Sequence, residues 1–259
     1  MALVLKEVVD RVGVLTLNNP AKHNVLSINM LQELIDGLEE MQKAKIPVVV
    51  IRALKDAKVW SAGFDIRELP TTKRDPLGFD NPLEQMLRAV ETYPGPVIAM
   101  VQGGVWGGAC DLTITCDMVF GDPSCTFAIT PVKIGLPYTA SGILHFINRL
   151  NMNHAKEMFF TAEPVEAERA LEWGILNHLK SAEALESFTM EFANRITKHS
   201  AMAISVVKEQ FRVISNAHPL SPHGFERIQG MRRRVYDSAD YTEGIKAFLE
   251  KRPPVFRGE

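Results

Sequence analysis

The pattern of apolar and polar residues predicts short strands that alternate with helices. Residues 3–9 and 12–18 are two strand-like runs joined by a short polar turn, which is typical of a β-hairpin. Ser27 then stands where it would cap a helix. Apolar residues recur behind it at helical spacing, namely Met30, Leu31, Leu34, Ile35 and Leu38. A buried strand is predicted at 48–51, and this order of elements indicates an α/β architecture with a mainly parallel sheet.

A glycine-rich segment in the middle of the chain predicts a strand, a tight turn and the start of a helix. The apolar run 96–101 predicts a buried strand, and the pairs Gly103-Gly104 and Gly107-Gly108 follow it. Glycine allows the backbone to approach a ligand closely, and the first amides of a helix have no intrahelical acceptor. Such a unit can hold a negative charge, although a glycine cluster by itself more often marks only a tight turn.

A second unit of the same kind lies upstream, in the segment 58–68. Gly63 follows a predicted strand and precedes a predicted helix, so that the amide of Phe64 is also expected to be free. Two such units can face each other across one site. The proline-rich, polar segment 70–82 predicts a loop that covers a pocket, before a helix at 83–92.

Further along the chain, strands and helices recur at similar intervals without a strict sequence repeat. Strand-like runs are followed by helical patterns and then by a helical tail broken at 218–222. The strands are predicted at 118–120, 126–129 and 176–179, and the helices at 142–149, 153–161, 165–173, 182–198 and 201–250. This recurrence favours a coil of strand and helix turns over an open dinucleotide-binding sheet, for which a GxGxxG motif is also missing. We predict a core at residues 1–198 and a helical region at 199–259 that packs on the core or on a neighbouring subunit.

Composition narrows the possible partners. The chain has 259 residues, 46% of them hydrophobic, and a formal net charge of −2, so nothing favours nucleic acid or an anionic membrane as a partner. The N-terminal segment carries charges at Lys6, Glu7, Asp10 and Arg11, unlike a signal peptide, and we expect a cytoplasmic protein. The three cysteines lack CxxC spacing and no HExxH motif is present, so neither disulfides nor a metal site is expected.

Several motifs together resemble one known family. SAGFDIREL at 61–69, GGVWGGACDLTITCD at 103–117, FAITPVKIGL at 127–136 and ERALEWGIL at 168–176 are similar to the crotonase, or enoyl-CoA hydratase/isomerase, superfamily along essentially the whole chain. The resemblance implies a coil of ββα units, a homotrimer or homohexamer, and an acyl-CoA thioester as substrate with no separate cofactor.

The resemblance also implies where the substrate binds. The two backbone amides that hold the thioester oxygen in this superfamily fall on Phe64 and Gly108. Other substrate-contacting positions fall on Ala62, Ile66, Thr130, Lys22 and Lys251. Both lysines are expected near the CoA moiety from the resemblance, although from the sequence alone each is better read as a solvated surface residue.

The acid and base positions favour decarboxylation. The two glutamates of the hydratases fall on Asp111 and Pro131, and proline cannot transfer a proton. Decarboxylation needs fewer acid and base groups than hydration does, because the breaking C–C bond supplies the electrons of the enolate. The RDPL and TPVKIGLPY segments resemble the decarboxylases of the superfamily, and Tyr138 matches the tyrosine that contacts the substrate carboxylate there. We therefore expect decarboxylation of a malonyl-type CoA thioester, methylmalonyl-CoA to propionyl-CoA, with Asp111 either structural or catalytic.

One position departs from the decarboxylase pattern, because Phe64 stands where those enzymes have histidine. The amide is retained, but an apolar ring replaces a polar group. The ring would either desolvate the substrate carboxylate or indicate a different acyl-CoA. Two alternatives stay open: an enoyl-CoA hydratase or isomerase with Asp111 as its sole acid and base, and a non-catalytic acyl-CoA-binding or RNA-associated protein.

Overall fold

The computed structural model describes residues 2–55, 57–69 and 75–259, which form ten strands and ten α-helices. The strands are β1 Val4–Val9, β2 Val12–Leu17, β3 Val48–Ala53, β4 Val59–Ser61, β5 Val97–Val101, β6 Gly104–Trp106, β7 Met118–Gly121, β8 Thr126–Ala128, β9 Val165–Glu166 and β10 His178–Leu179. The helices are α1 Ile28–Lys43, α2 Pro82–Thr92, α3 Gly108–Thr115, α4 Ala140–Arg149, α5 Met152–Thr161, α6 Ala167–Glu172, α7 Ala182–Ile196, α8 Ala201–Ser215, α9 Pro222–Tyr236 and α10 Ala239–Leu249.

The strands form two sheets between which the chain moves in every repeat. One sheet has the order β1-β2-β3-β5-β7-β10 and the other β4-β6-β8-β9. Apart from the antiparallel pairs β1–β2 and β8–β9, neighbouring strands are parallel. Each pair of consecutive strands, β3–β4, β5–β6 and β7–β8, is followed by a helix, α2, α3 and α4 in turn. The predicted coil of ββα units is confirmed.

The inner strands of the larger sheet, β2, β3, β5 and β7, are buried on both faces, which explains their nearly continuous apolar sequences. On one face, Leu15 and Ile51 pack in the main core with the apolar stripe of α1. On the other face, Val14 and Val50 pack against α7 through Leu185. The predicted start of α1 is confirmed, since the Ser27 side chain accepts a hydrogen bond from a backbone amide in the first turn of this helix.

Two predicted boundaries, one beside each sheet, are wrong. The helix predicted at 165–173 begins only at Ala167, because Val165–Glu166 pairs with β8 as an antiparallel strand. The strand predicted at 176–179 is reduced to β10, which pairs with the end of β7.

Two predicted helices also differ in extent. The helix predicted after Gly63 is a single 3₁₀ turn, Ile66–Glu68, capped by the side chain of Asp65. The helical tail predicted at 201–250 is interrupted twice. The first break is the expected one at 218–222, and the second lies between α9 and α10, where Ser238 caps α10. Ser238 is a strong N-cap residue, and its extended backbone interrupts the helix.

The last two helices pack against the segment that follows β8. Tyr236 of α9 and Tyr241 of α10 form an apolar cluster with Ile134 and Leu136. In contrast, α8 has no buried residue. The C-terminal region therefore contributes directly to the surroundings of the segment 131–138, although the predicted boundary at 198 stays a prediction.

Three further features of the described residues concern membrane-spanning helices, metal ligands and cysteines. Within residues 2–55, 57–69 and 75–259, no helix is both long and apolar enough to cross a bilayer. No group of three or more potential metal ligands comes together in that part of the chain. Cys110, Cys116 and Cys125 are free and buried. Residues 70–74 of the predicted covering loop lie outside the described residues.

We predict that Gly244→Ala destabilises the protein by about 1–3 kcal/mol, the usual range for overpacking. An added Cβ at Gly244 would lie 2.2 Å from the carbonyl oxygen of Ile134, so α10 would have to move away from that segment. Urea unfolding measures the loss.

Gly230→Ala is the matched control, because it also lies in a helix and its added Cβ would meet no atom within 4 Å. Alanine is favoured over glycine in a helix by about 1 kcal/mol, so this variant should be as stable as the parent or more so. Equal stability of the two variants would contradict the close packing of α10.

Candidate active site

The two glycine turns predicted from the sequence meet in the structure. Gly63 has a φ of 86°, and an added Cβ there would lie 2.3 Å from the carbonyl oxygen of Trp106 and 3.0 Å from the amide nitrogen of Gly108. Because L-residues rarely adopt this conformation and have no space for a side chain here, glycine is required. The contact brings the amides of Phe64 and Gly108 to neighbouring positions.

Both amides remain free to bind a ligand. Phe64 follows the carbonyl of Gly63, which accepts a hydrogen bond from the amide of Leu26 at 2.8 Å. Gly108 is the first residue of α3 and so has no intrahelical acceptor. Within the described part of the chain, neither the Phe64 nor the Gly108 amide donates a hydrogen bond. Both residues line one cavity, which the N-terminus of α3 makes favourable to negative charge.

The cavity is small, and its walls are mostly apolar. Its volume is about 60 Å³. Its apolar walls come from Ala62, Phe64, Ile66, Leu69, Leu77, Leu83, Pro131, Ile134 and Leu136. Among the described lining residues, Thr130 and Tyr138 carry the protic side chains. A hydrogen bond to an anion is stronger in such a low-dielectric site than in water.

The structure separates the predicted substrate-binding residues into two groups. Ala62, Ile66 and Thr130 line the cavity, as do Phe64 and Gly108 among the predicted catalytic residues. Lys22 ends an exposed 3₁₀ turn, and Lys251 is exposed just after α10. Neither lysine belongs to the described lining of the cavity, so their expected contact with CoA stays a prediction.

Asp111 lies behind Tyr138 rather than in the cavity wall. It projects from α3 and its exposed fraction is 0%. The Tyr138 hydroxyl donates a hydrogen bond to Oδ2 of Asp111 at 2.6 Å. On the other side, Nδ1 of His145 lies 2.8 Å from Oδ1 of Asp111, and the Thr115 hydroxyl donates to Oδ1 at 3.4 Å. Asp111 therefore reaches a ligand in the cavity through Tyr138.

Burial and charge set the protonation of this group. Burial raises the pKa of Tyr138 well above its ordinary value, and the charge of Asp111 raises it further. Burial by itself lowers the pKa of His145. The charge and hydrogen bond of Asp111, together with Glu91 and Glu84, outweigh burial and raise that pKa to about 9. At neutral pH the His145 side chain that faces Asp111 is thus an imidazolium.

Sequence reasoning missed His145, Glu84 and Glu91. His145 lies on α4 and Glu91 on α2, and no motif spacing connects either residue to Asp111. Glu84 left a local signal, because it is buried on the apolar face of α2 beside Leu83 and Leu87. A carboxylate there requires hydrogen-bond donors, which Thr139 and Ser141 supply at 3.3 Å each.

A coil of ββα units that presents two free amides from facing glycine turns defines a class of enzymes that stabilise an oxyanion. The chain belongs to the enoyl-CoA hydratase/isomerase family, which matches residues 7–259. The predicted family is thereby confirmed.

Individual members of the family differ in how similar they are to this chain. The chain is 44% identical to methylmalonyl-CoA decarboxylase of Escherichia coli K12 over 250 residues, 96% of each protein. It is 31% identical to the mitochondrial enoyl-CoA hydratase domain-containing protein 3 of Danio rerio, across 98% of this chain and 88% of that protein. A structure of methylmalonyl-CoA decarboxylase with 2S-carboxypropyl-CoA superposes with a TM-score of 0.98 at 43% identity, covering 100% of this chain and 99% of the other.

We predict that Gly108→Pro lowers turnover of the CoA thioester by about 10²–10³-fold, since loss of one oxyanion donor has an effect of that size. Proline fits the first turn of a helix, so α3 should still form, and circular dichroism checks this. Steady-state kinetics measure the loss.

Gly108→Ala is the matched control. It keeps the amide, and its added Cβ would lie 2.8 Å from Cδ2 of the buried Leu83 and 3.4 Å from the amide nitrogen of Phe64. We expect it to be less active than the parent but clearly more active than Gly108→Pro. A folded Gly108→Pro variant as active as Gly108→Ala would exclude this amide as an oxyanion donor.

Proposed function

We propose that the chain decarboxylates methylmalonyl-CoA to propionyl-CoA and is thus a carboxy-lyase of the enoyl-CoA hydratase/isomerase family. The observation that carries the proposal is the cavity with two free amides and without a carboxylate among its described lining residues. The 44% identity to methylmalonyl-CoA decarboxylase over 96% of both chains supports the same reaction.

The geometry accounts for the bond-breaking step. When the C–C bond to the carboxylate breaks, its electron pair forms an enolate with the thioester carbonyl, and CO₂ leaves. The amides of Phe64 and Gly108 then hold the enolate oxygen, and each such donor stabilises a transition state by about 3 kcal/mol. Protonation of the α-carbon completes the reaction, and we assign it to Tyr138, which with Thr130 supplies the hydroxyl groups of the described cavity lining. No cofactor is needed for these steps.

The cavity is poorly suited to hydration of an enoyl-CoA. Addition of water requires a general base within hydrogen-bond reach of that water. Pro131 occupies one of the two positions at which hydratases have glutamate, and it forms part of the wall. Asp111, at the other position, lies behind Tyr138. A hydratase or isomerase is therefore the weaker candidate.

Phe64 adds to the driving force in this proposal. Its partly buried ring packs against both the main core and the cluster around Leu69. A substrate carboxylate beside this ring loses hydration, whereas the departing CO₂ is neutral. Desolvation of that carboxylate favours its loss. The ring also narrows the acyl cavity, which favours a short acyl substituent.

The proposal extends to assembly and location. We propose a cytoplasmic homotrimer or homohexamer with an acyl-CoA substrate and without a nucleic acid or membrane partner. Helix α8 supports an assembly, because Met202, Phe211 and Ile214 on it are 80%, 72% and 72% exposed. The three free cysteines fit a reducing compartment.

The first test of this function is CO₂ release from methylmalonyl-CoA. We expect release from methylmalonyl-CoA to exceed release from malonyl-CoA and ethylmalonyl-CoA, and hydration of crotonyl-CoA to be absent or much slower. Hydration without CO₂ release would establish the hydratase alternative. Binding of the thioesters without any turnover would establish a non-catalytic acyl-CoA-binding protein.

We predict that Tyr138→Phe lowers kcat by about 10²-fold or more, the usual contribution of a positioned acid or base, with a smaller change in KM. The Phe variant keeps the ring in the cavity wall and removes only the hydroxyl. Tyr93→Phe is the matched control, because the hydroxyl of Tyr93 donates to the carbonyl of Ile46 and does not line this cavity. Equal losses in kcat and in CoA affinity would make Tyr138 a binding residue only.

A further inference from the structure

A chain of polar contacts leads from the acyl cavity to solvent on the far side of α3. Tyr138 lines the cavity and donates to Asp111 at 2.6 Å, and Asp111 faces Nδ1 of His145 at 2.8 Å. Nε2 of His145 lies 3.7 Å from the carboxylate of Glu91. His145 and Glu91 also line two further cavities, of about 250 and 400 Å³. The contacts therefore connect the acyl cavity with space large enough for water.

Decarboxylation under the proposed function consumes one proton in each turnover. The substrate loses its carboxylate as neutral CO₂, and the α-carbon takes a proton in its place. Of the described residues that line the acyl cavity, Thr130 and Tyr138 have side chains that carry a transferable proton. Tyr138 alone of these two is hydrogen-bonded to a buried acid. A proton that Tyr138 gives up therefore has to be replaced through Asp111.

The direction of the Tyr138 hydrogen bond matters for this delivery. With Asp111 ionised, the Tyr138 proton points at Oδ2 of Asp111 and away from a ligand. When Asp111 carries a proton, its own hydroxyl can donate to the Tyr138 oxygen, and the Tyr138 proton turns to the cavity. A donor on the other side of Asp111 is thus needed, and the side chain placed there is His145.

We propose that His145 is the positioning residue that supplies Asp111 with the proton needed for Tyr138 to act as a donor in the acyl cavity. The Nδ1–H bond of His145 breaks and an O–H bond forms at Oδ1 of Asp111. The carboxyl group rotates, Asp111 gives this proton to the Tyr138 oxygen, and the Tyr138 proton bonds to the α-carbon. His145 then recovers a proton from water in the outer cavities. This inference rests on the proposed function.

The surroundings of His145 are acidic on the side of α2 and α3. Asp111 on α3 and Glu84 and Glu91 on α2 all favour its imidazolium form. The cations that line the outer cavities are largely paired with other groups: Lys208 with Asp117, Arg212 with Glu209, Arg232 with Asp75, Arg149 with backbone carbonyls, and Arg88 with the Phe79 carbonyl. The three carboxyl groups therefore influence the charge of His145 more strongly than these paired cations do.

The test is His145→Asn. The Asn amide keeps a hydrogen-bond donor near the Nδ1 position, but unlike imidazole it cannot gain and release a proton. We expect kcat for CO₂ release to fall about tenfold or more at pH 7, with KM changed by less than about twofold. The kcat of the parent should fall as the pH rises through about 9, where His145 loses its proton, and we call this fall the alkaline limb of the pH profile. The His145→Asn variant should lack the alkaline limb. His199→Asn, at an exposed position after α7, is the control and should leave the profile unchanged.

Glu91→Gln tests the same idea without altering the imidazole. Since Glu91 raises the pKa of His145, its neutral replacement should move the alkaline limb to lower pH. A variant that merely loosens the fold would lower kcat at every pH. An alkaline limb that stays in place in His145→Asn, or an unmoved limb in Glu91→Gln, would overturn the inference.

Exchange of the α-protons of propionyl-CoA in D₂O separates this inference from the proposed function. The exchange needs proton transfer at the α-carbon but no C–C cleavage, and His145→Asn should slow it about tenfold or more. If the parent exchanges these protons faster than His145→Asn but releases no CO₂, the decarboxylase function is overturned, and proton transfer from His145 through Asp111 to Tyr138, here called the relay, is supported. CO₂ release with exchange that is equal in parent and His145→Asn would overturn the relay alone.

Discussion

The contact between two backbone turns is the constraint on which the rest of the site depends. Gly63 has no side chain, and the turn at Trp106–Gly108 occupies the space that a Cβ would need. The ends of β4 and β6, which are neighbours in the smaller sheet, are thereby held at a distance at which amides from successive ββα units face one cavity. A binding site made of backbone donors does not depend on a side-chain rotamer, so its geometry is as rigid as the sheets that carry it.

A second consequence of the fold is the burial of a charged group directly behind this cavity. Asp111 is fully buried, and an isolated carboxylate there would be strongly unfavourable. Tyr138, His145 and Thr115 satisfy it with hydrogen bonds from three directions. The network fixes the position of Tyr138 in the cavity wall and at the same time extends the polar region to solvent. Satisfaction of a buried charge and supply of a proton use the same contacts.

Distant parts of the chain close the cavity. Leu77 in its wall follows Asp75, which forms a bidentate ion pair with the buried Arg232 of α9 at 2.8 and 2.9 Å. Ile134, also in the wall, packs in one apolar cluster with Leu77 and with Tyr241 of α10. The C-terminal helices therefore support the acyl pocket through both Leu77 and Ile134. Helix α8 has no buried residue, and Lys208 on it donates a hydrogen bond to Asp117.

Local signals in the sequence determined the repeated ββα order, the cap at Ser27, the two glycine turns and the free amides of Phe64 and Gly108. These features depend on residues near one another in the chain. The two-residue strand β9 was missed, because its pairing with β8 comes from residues about 40 positions away. His145 was missed for the same reason, since 34 positions separate it from Asp111. Tertiary structure alone decided that Asp111 lies behind Tyr138, because the direction in which a helix side chain points depends on the packing of the whole helix.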